Sequence, residues 1–270
     1  MPELPEVETT LRGITPYIKN QKIEEVTLRH LQLRWPVNPL IQTALQGHVI
    51  STLSRRGKYL LLTTASGTLI LHLGMSGSLR IVTANVTPQK HDHVDIAFQN
   101  KKILRLTDPR RFGAVLWTTD DPHEHTLLKN LGPEPLSRQF TKHYLWQCAQ
   151  GRKMPVKAFI MDSSIVVGVG NIYATEALFA AGIHPKTPAG KISRAHYKKC
   201  VEAIKKILRA AIKQGGTTLK DFLNSDGKPG YFKFHLKAYG RAGLPCVQCK
   251  TTLKEIRLGQ RSSVYCPRCQ

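Results

Sequence analysis

Four cysteines near the end of the chain carry the strongest chemical signal: Cys246-x2-Cys249-x16-Cys266-x2-Cys269. Two CxxC pairs at this separation supply four thiolates, the ligand set of a tetrahedral zinc ion. Two disulfides are the alternative reading. Four sulfurs leave no coordination position open, so the spacing predicts one structural Zn2+ with no catalytic role. The spacer LKEIRLGQRSSVY alternates weakly around Gly259, as a β-hairpin with a tip would. Arg257, Arg261 and Tyr265 belong to that hairpin, and in a strongly basic chain an arginine there reaches for phosphate. A solvated basic face is the bland reading.

The start of the chain is the second candidate: Met1-Pro2-Glu3-Leu4-Pro5-Glu6. With Met1 removed, Pro2 carries a secondary α-amine. An α-amino group titrates near 7.7–8.0, so about a tenth is neutral at pH 7, on the order of a few hundred times the fraction of an ordinary lysine. A neutral amine attacks electrophilic carbon, and a secondary amine yields an iminium that already serves as an electron sink. Glu3 beside it has the chemistry of a general acid and base. Pattern alone favours the plainer reading, an acidic helix cap with prolines.

The third candidate is Val167-Gly168-Val169-Gly170-Asn171-Ile172-Tyr173, where two glycines lead into a helix. Helix N-terminal amides bind anions. No parallel strand–helix unit precedes the glycines, so a phosphate-backbone grip by Gly170 and Asn171 is better motivated than a nucleotide cofactor. An ordinary interhelical turn fits equally well. Lys58 follows Arg55-Arg56-Gly57 at a turn, and Met75 sits in the glycine-bracketed run His72–Gly77. Arg110 and Phe112 lie in Asp108-Pro109-Arg110-Arg111-Phe112-Gly113. Arginines and an apolar wedge on one turn have the composition of side chains that enter a duplex. A buried Phe with surface arginines is the alternative. His91-Asp92-His93 lacks a third metal ligand. Cys200 reads as a small buried residue on a helix face.

Elements must hold these groups in place. Residues 5–15 carry the helical stripe Val7, Leu11 and Ile14, and Pro16 is expected to stop the run. Strands are expected at Tyr59–Thr64 and Thr68–Leu73, joined by a turn, and at Ser78–Val82, Val94–Phe98, Ile103–Thr107 and Ala114–Thr118. Many short strands in succession predict an antiparallel β-sandwich. Leu131–Leu136 is rich in Pro and Gly and reads as a linker. Helices follow at Val156–Asp162 and Ile172–Ala181. A long one, capped by Ser193, runs to Lys213 before Gly215-Gly216, with the stripe Tyr197, Val201, Ile204, Leu208 and Ala211. The predicted division is a β-rich domain over 1–131, a helical domain over 132–225 and a metal module over 236–270.

Charge narrows the partner. The 270 residues hold 40 Lys+Arg against 18 Asp+Glu, a formal net charge of +22. That excess predicts a polyanion, and nucleic acid fits better than a membrane because no basic amphipathic anchor stands out. The acidic start lacks the apolar core of a secretion signal, and no apolar run reaches transmembrane length. Cysteines clustered for metal imply a reducing compartment. No repeat, low-complexity tract or sign of an oligomer appears.

Taken together, PELPEVET, RRGKYLLL, HLGMSGSLR, KHDHVD, DPRRFG, VVGVGNIYATEALF and the CxxC pairs resemble the bacterial formamidopyrimidine-DNA glycosylases, over essentially the whole chain. The resemblance implies an α+β, two-domain fold. An N-terminal antiparallel β-sandwich flanked by helices is followed by a helix–two-turn–helix domain with a zinc β-hairpin. It implies a cytoplasmic, nucleoid-associated monomer acting on double-stranded DNA with oxidised purines, 8-oxoguanine and formamidopyrimidines. It makes Pro2 the nucleophile at C1′, Glu3 the acid/base, Lys58 a further catalytic residue and Glu6 a supporting carboxylate. Lys58, His91, Asn171 and Arg261 become DNA contacts. Met75, Arg110 and Phe112 become the groups that fill the gap left by the extruded base, Arg110 facing the orphaned cytosine. Strand cleavage by β,δ-elimination follows, with no organic cofactor. A loop near Gly215–Lys228 covers the lesion in relatives. Two rival readings are an oxidised-pyrimidine glycosylase of the endonuclease VIII type and a non-catalytic zinc protein that binds DNA. The sibling usually starts Pro-Glu-Gly-Pro, whereas this chain has Leu4. Asp162-Ser163-Ser164 departs from the family's usual Asp-Gln.

Overall fold

A computed structural model describes residues 2–217 and 235–270. Two compact units emerge: among described residues, 2–129 with 214–217, and 130–213 with 235–270.

The first unit opens with helix α1 (Leu4–Ile18). Pro16 does not stop this helix but lies in its last turn. A proline there removes only one intrahelical bond, and the extra turn places Ile18 beside Ile14 in the core, both fully buried. Strand β1 (Ile23–Leu28) and the short helix α2 (Ile41–Leu45) come next. Strands β2 (Thr52–Arg56), β3 (Tyr59–Thr64), β4 (Gly67–His72), β5 (Ser78–Thr83), β6 (Asp92–Phe98), β7 (Lys102–Thr107) and β8 (Ala114–Thr118) follow. They form two antiparallel four-stranded sheets, ordered β1-β6-β7-β5 and β2-β3-β4-β8. Val94, Ile96, Leu104 and Leu106 from one sheet meet Leu60, Leu62, Leu69 and Leu71 from the other, with Val7, Ile14 and Ile18 of α1. This is the expected sandwich. Leu61 and its partner Ile70, on the opposite face, are buried too, which explains the unbroken apolar run of β3. The β3–β4 turn is shorter than expected. Thr64 pairs with Gly67, leaving Ala65-Ser66 as the loop.

A buried ion cluster stiffens the first sheet. Asp95 on β6 accepts from Arg105 on β7 at 2.8 Å through both carboxylate oxygens, and from Arg29 at 2.7 Å. Burial pushes the Asp95 carboxyl up, but the two guanidinium groups outweigh it and hold it below the ordinary value of 3.8.

In the second unit, helix α3 (Lys142–Ala149) precedes α4 (Val156–Met161), α5 (Asn171–Ala181) and α6 (Arg194–Lys213). The expected Pro/Gly linker is locked in place. Gly132 N–H donates to Ser163 O at 2.8 Å, and a Cβ on Gly132 would lie 2.6 Å from Ser164 O. Helix α5 is buried along nearly its whole length, so its apolar sequence has no polar stripe. Helix α6 buries Tyr197, Val201, Ile204, Leu208 and Ala211, and Ser193 Oγ caps it by accepting from His196 N–H at 3.2 Å. Cys200 is fully buried, and burial pushes its thiol up to about 12. Strands β9 (Lys254–Leu258) and β10 (Arg261–Tyr265) form the hairpin around Gly259-Gln260. Phe179 of α5 packs on Leu253, Val264, Cys246 and Cys266 beneath it.

Arg105→Ala leaves Asp95 buried with one partner fewer and should cost about 3–5 kcal/mol. A carboxylate held low contributes stability above its unfolded value, and that contribution is lost as pH falls through the folded value. The wild-type protein should therefore lose part of its stability on acidification below about pH 4, and the variant should show a shallower acid dependence there. Urea melts from pH 7 to 3 check both. Equal acid dependence in the two proteins contradicts the assignment.

Candidate functional site

The first turn of α1 organises the chain start. Pro2 is buried, and Glu3, the extended N-cap residue, is 2% exposed. Pro5 falls in the first turn, where its missing N–H costs no bond. Glu6 is fully buried, and its carboxylate accepts from Glu3 N–H at 2.8 Å, the return half of a capping box. Its other oxygen accepts from Thr217 N–H at 2.8 Å and Thr217 Oγ1 at 2.9 Å. Gly216 lies in the left-handed region at φ +81°, and a Cβ there would sit 2.9 Å from Glu6 Oε1. Only glycine lets the backbone come this close.

Glu8, a turn further along, reaches the neighbouring hairpin. It accepts from Arg55 Nε at 2.9 Å and from Arg12 Nε at 2.8 Å. Burial raises the Glu8 carboxyl, but the two arginines bring it below its usual range. Arg55 also donates to Gly57 O at 2.9 Å. Gly57, at φ +59°, and Lys58 form the β2–β3 turn, because Arg56 pairs with Tyr59. One arginine thus ties the lysine turn to α1. The Tyr59 ring lies tilted against that of His72, centroids 4.7 Å apart. Burial, then the charges of Lys58 and Arg34, push His72 down to about 4. Its Nδ1 accepts from Gly74 N–H at 3.0 Å, so the neutral ring carries its proton on Nε2.

Met75 and Phe112 are 39% and 42% exposed, unusual for large apolar side chains. The Arg110 guanidinium lies 4.8 Å from the Phe112 ring centroid. The structure thus gathers Arg110 and Phe112 at one exposed tip. His91 is half-buried, with its ring 6.4 Å from that of His93. Asp92 faces Arg80 and Arg105, 3.6 Å from each.

In the second unit, Asn171 is the first residue of α5, after Gly170 in extended conformation. Its Oδ1 is buried and has no hydrogen-bond partner among the described residues. Arg261 is exposed where β10 begins. A cavity of about 490 Å³ beside it is lined by Arg257, Gly259, Lys157 and Met161, among others. Lys157 is 1% exposed and donates to Ser262 O at 2.7 Å and Ser263 Oγ at 2.8 Å, fastening β10 to α4. Glu176 of α5 accepts from the backbone N–H groups of Lys237, Ala238 and Tyr239 at 2.7–2.9 Å. It holds the segment that leads into the hairpin. The spacing reading missed both residues. A lone carboxylate inside the apolar run IYATEALF was the available signal for Glu176.

The sulfurs of Cys246, Cys249, Cys266 and Cys269 all lie within 4.8 Å of one another. Three of the separations are Cys246–Cys269 3.9 Å, Cys249–Cys266 3.5 Å and Cys249–Cys269 3.4 Å. A tetrahedral zinc with Zn–S near 2.3 Å requires edges of about 3.8 Å. The four cysteines therefore fit one zinc ion, which joins the 246–249 and 266–269 turns and leaves no position for substrate.

Family models match this chain in three segments. They are Formamidopyrimidine-DNA glycosylase N-terminal domain over 1–115, Formamidopyrimidine-DNA glycosylase H2TH domain over 131–223, and Zinc finger found in FPG and IleRS over 243–270. The chain belongs to the formamidopyrimidine-DNA glycosylase family. A curated relative of that name from Marinomonas sp. is 59% identical over 271 residues, covering 100% of both chains. Among solved structures, a Lactococcus lactis FPG variant in complex with Fapy-dG-containing DNA superposes with a TM-score of 0.93 at 31% identity, covering 100% of this chain and 99% of that one. MutM in complex with carbocyclic 8-oxo-G-containing DNA gives a TM-score of 0.92, also at 31% identity, covering 100% and 99%. The family fold is thus that of the expected α+β, two-domain glycosylase with its zinc hairpin. The expected lesion loop lies outside the described residues from 218 to 228. No described helix is long and apolar enough to cross a membrane.

Chelating the zinc should release the β9–β10 hairpin while the sandwich stays folded. Hydrogen exchange should rise at 254–265 and stay unchanged at 59–64, and duplex affinity should fall. Metal-free protein that binds duplex as tightly as before contradicts a structural role for the zinc in DNA binding.

Proposed function

We propose that this chain excises oxidised purines, 8-oxoguanine and formamidopyrimidines, from double-stranded DNA and then cleaves the abasic strand. The observation that carries this reading is the chain start. A buried Pro2 precedes a buried Glu3 on a helix turn fixed by Glu6, within a full-length match to the glycosylase family. Relatives of the same fold have been captured on DNA containing Fapy-dG and 8-oxo-G.

The chemistry follows from the groups in hand. The duplex opens and the damaged nucleotide is flipped out, at a cost of a few kcal/mol. Pro2 nitrogen attacks C1′, and the bond from C1′ to the base breaks; the base leaves with the electron pair and takes up the proton that the nitrogen loses. The nitrogen lone pair then expels the ring oxygen, which Glu3 protonates, and C1′ becomes an iminium carbon. Loss of a C2′ proton expels the 3′ phosphate, and a second proton loss expels the 5′ phosphate. Water finally releases the sugar fragment from Pro2, leaving a one-nucleotide gap.

Lys58, His91, Asn171 and Arg261 grip phosphate oxygens, and these contacts add affinity without sequence information. The excess charge of +22 makes binding strongly salt-dependent. Met75, Arg110 and Phe112 occupy the vacated space, and Arg110 faces the cytosine left unpaired. Every group in this scheme comes from one chain, so a monomer suffices. It works in the cytoplasm, on chromosomal DNA at the nucleoid. Zinc supplies no reactive centre.

A duplex with 8-oxoguanine opposite cytosine and one with an oxidised pyrimidine test the reading directly. The purine duplex should be cut to fragments ending in phosphate on both sides of a one-nucleotide gap, and faster than the pyrimidine duplex. Faster cutting of the pyrimidine duplex moves the chain to the endonuclease VIII type. Tight binding without cutting of either duplex leaves a DNA-binding protein only.

A further inference from the structure

Two chain crossings lie side by side at one edge of the sandwich. Residues 73–77 carry the chain from β4 in one sheet to β5 in the other, and residues 108–113 carry it back from β7 to β8. Their flanking strands pair at both ends: His72 opposite Ala114, and Ser78 opposite Thr107. The first crossing carries Met75, and the second carries Arg110 and Phe112.

A single buried carboxylate joins them. Asp108 is fully buried. Its Oδ1 accepts from Ser76 Oγ at 2.7 Å, and its Oδ2 accepts from Gly113 N–H at 2.8 Å. Ser76 Oγ in turn accepts from Arg110 N–H at 3.2 Å. The Asp108 carbonyl accepts from Arg111 N–H at 3.2 Å and pairs with His93 Nε2 at 2.8 Å, while Asp108 N–H donates to His91 O at 3.0 Å. The backbones also touch. Gly74 lies at φ +61°, and a Cβ there would meet Phe112 C at 2.4 Å, so only glycine fits. Ser76, at 3% exposed, and Asp108 thus form a bonded floor under three exposed tips.

We propose that Ser76 and Asp108 are positioning residues for base extrusion, locking the two crossings into one preformed wedge. Met75, Arg110 and Phe112 then enter the duplex as a unit. The ordering of both loops is completed during folding, not on the DNA, so less of the binding energy is lost to it. This inference rests on the proposed glycosylase function and sharpens it. Ser76 touches no reacting atom, so its effect falls on the flipping step and on the reading of the opposite base.

The test compares two substrates under single turnover: a duplex with 8-oxoguanine opposite cytosine, which must be flipped and excised, and one with a preformed abasic site, which needs only strand cleavage. Ser76→Ala should slow the first by about tenfold, the equivalent of about 1.4 kcal/mol, and leave the second within about twofold. Its preference for cytosine over adenine opposite the lesion should shrink as well. Because Ser76 acts through the tips, Ser76→Ala combined with Met75→Ala should cost less than the product of the two single effects. Asp108→Asn, with its melting temperature measured alongside, should repeat the split between substrates. Equal slowing on both duplexes, unchanged rates on both, or strictly multiplicative effects in the double variant overturn the proposal. If the wild-type protein leaves 8-oxoguanine in place, the function itself fails and the wedge falls with it.

Discussion

The carboxylate of Glu6 has no exposed surface, and both of its oxygens are bonded inside the first unit. A buried carboxylate is expensive unless its acceptors are filled. Here the Glu3 N–H fills one side and the Thr217 N–H and hydroxyl fill the other. The helix N-terminus above it adds a favourable dipole. This satisfied charge fixes the first turn of α1. It also fixes Gly216-Thr217, which lead into the segment after α6. A nucleophile at the very start of a chain has covalent support from one side only, and termini are usually loose. The capping carboxylate supplies the second support, so the chemistry proposed for Pro2 and Glu3 depends on it.

Each unit holds its share of the proposed functional groups on its own scaffold. The proposed reacting groups, Pro2 and Glu3, sit at the start of α1, and Arg55 ties the hairpin that carries Lys58 to that helix through Glu8 and Gly57 O. In the second unit, the proposed phosphate contacts Asn171 and Arg261 are held by a different kind of scaffold. Helix α5 presents Asn171 at its start, and through Glu176 it clasps the backbone that enters the hairpin. Lys157 and the cysteine cage hold β10, and with it Arg261. Small, cysteine-rich hairpins have too little apolar area to hold an arginine steady on their own, so metal and a buried lysine complete the core.

Much of this was legible because local patterns reported directly on local structure. The α6 stripe, the β3–β4 run and the CxxC spacing each encode burial or ligation within a few residues. The order and types of the motifs pointed to the family. Strands β1 and β2 and helices α2 and α3 were not legible. Their apolar residues are few, and β1 takes its partner from far along the chain, β6. Pro16 misled because its cost is small in a last turn whose Ile18 reaches the core. Asp108 and Lys157 were invisible, and Glu176 showed only as a lone carboxylate in an apolar run, for one shared reason. Each is a charged residue buried against backbone groups from elsewhere, and sequence reads charge as surface. Lys58 and Asn171 gained meaning only beside the other motifs, since a basic turn and a glycine-led helix are common by themselves.

The central claim is that the N-terminal amine performs the chemistry. Borohydride reduces an iminium to a stable amine, so it traps the intermediate on the residue that formed it. The measurement is incubation of the protein with an 8-oxoguanine:cytosine duplex and borohydride, followed by mass spectrometry of the crosslinked peptide. The account predicts a covalent adduct on Pro2, with Met1 absent and the amine unblocked. An adduct on a lysine, or a chain whose Met1 is retained while the duplex is still cut, would contradict it.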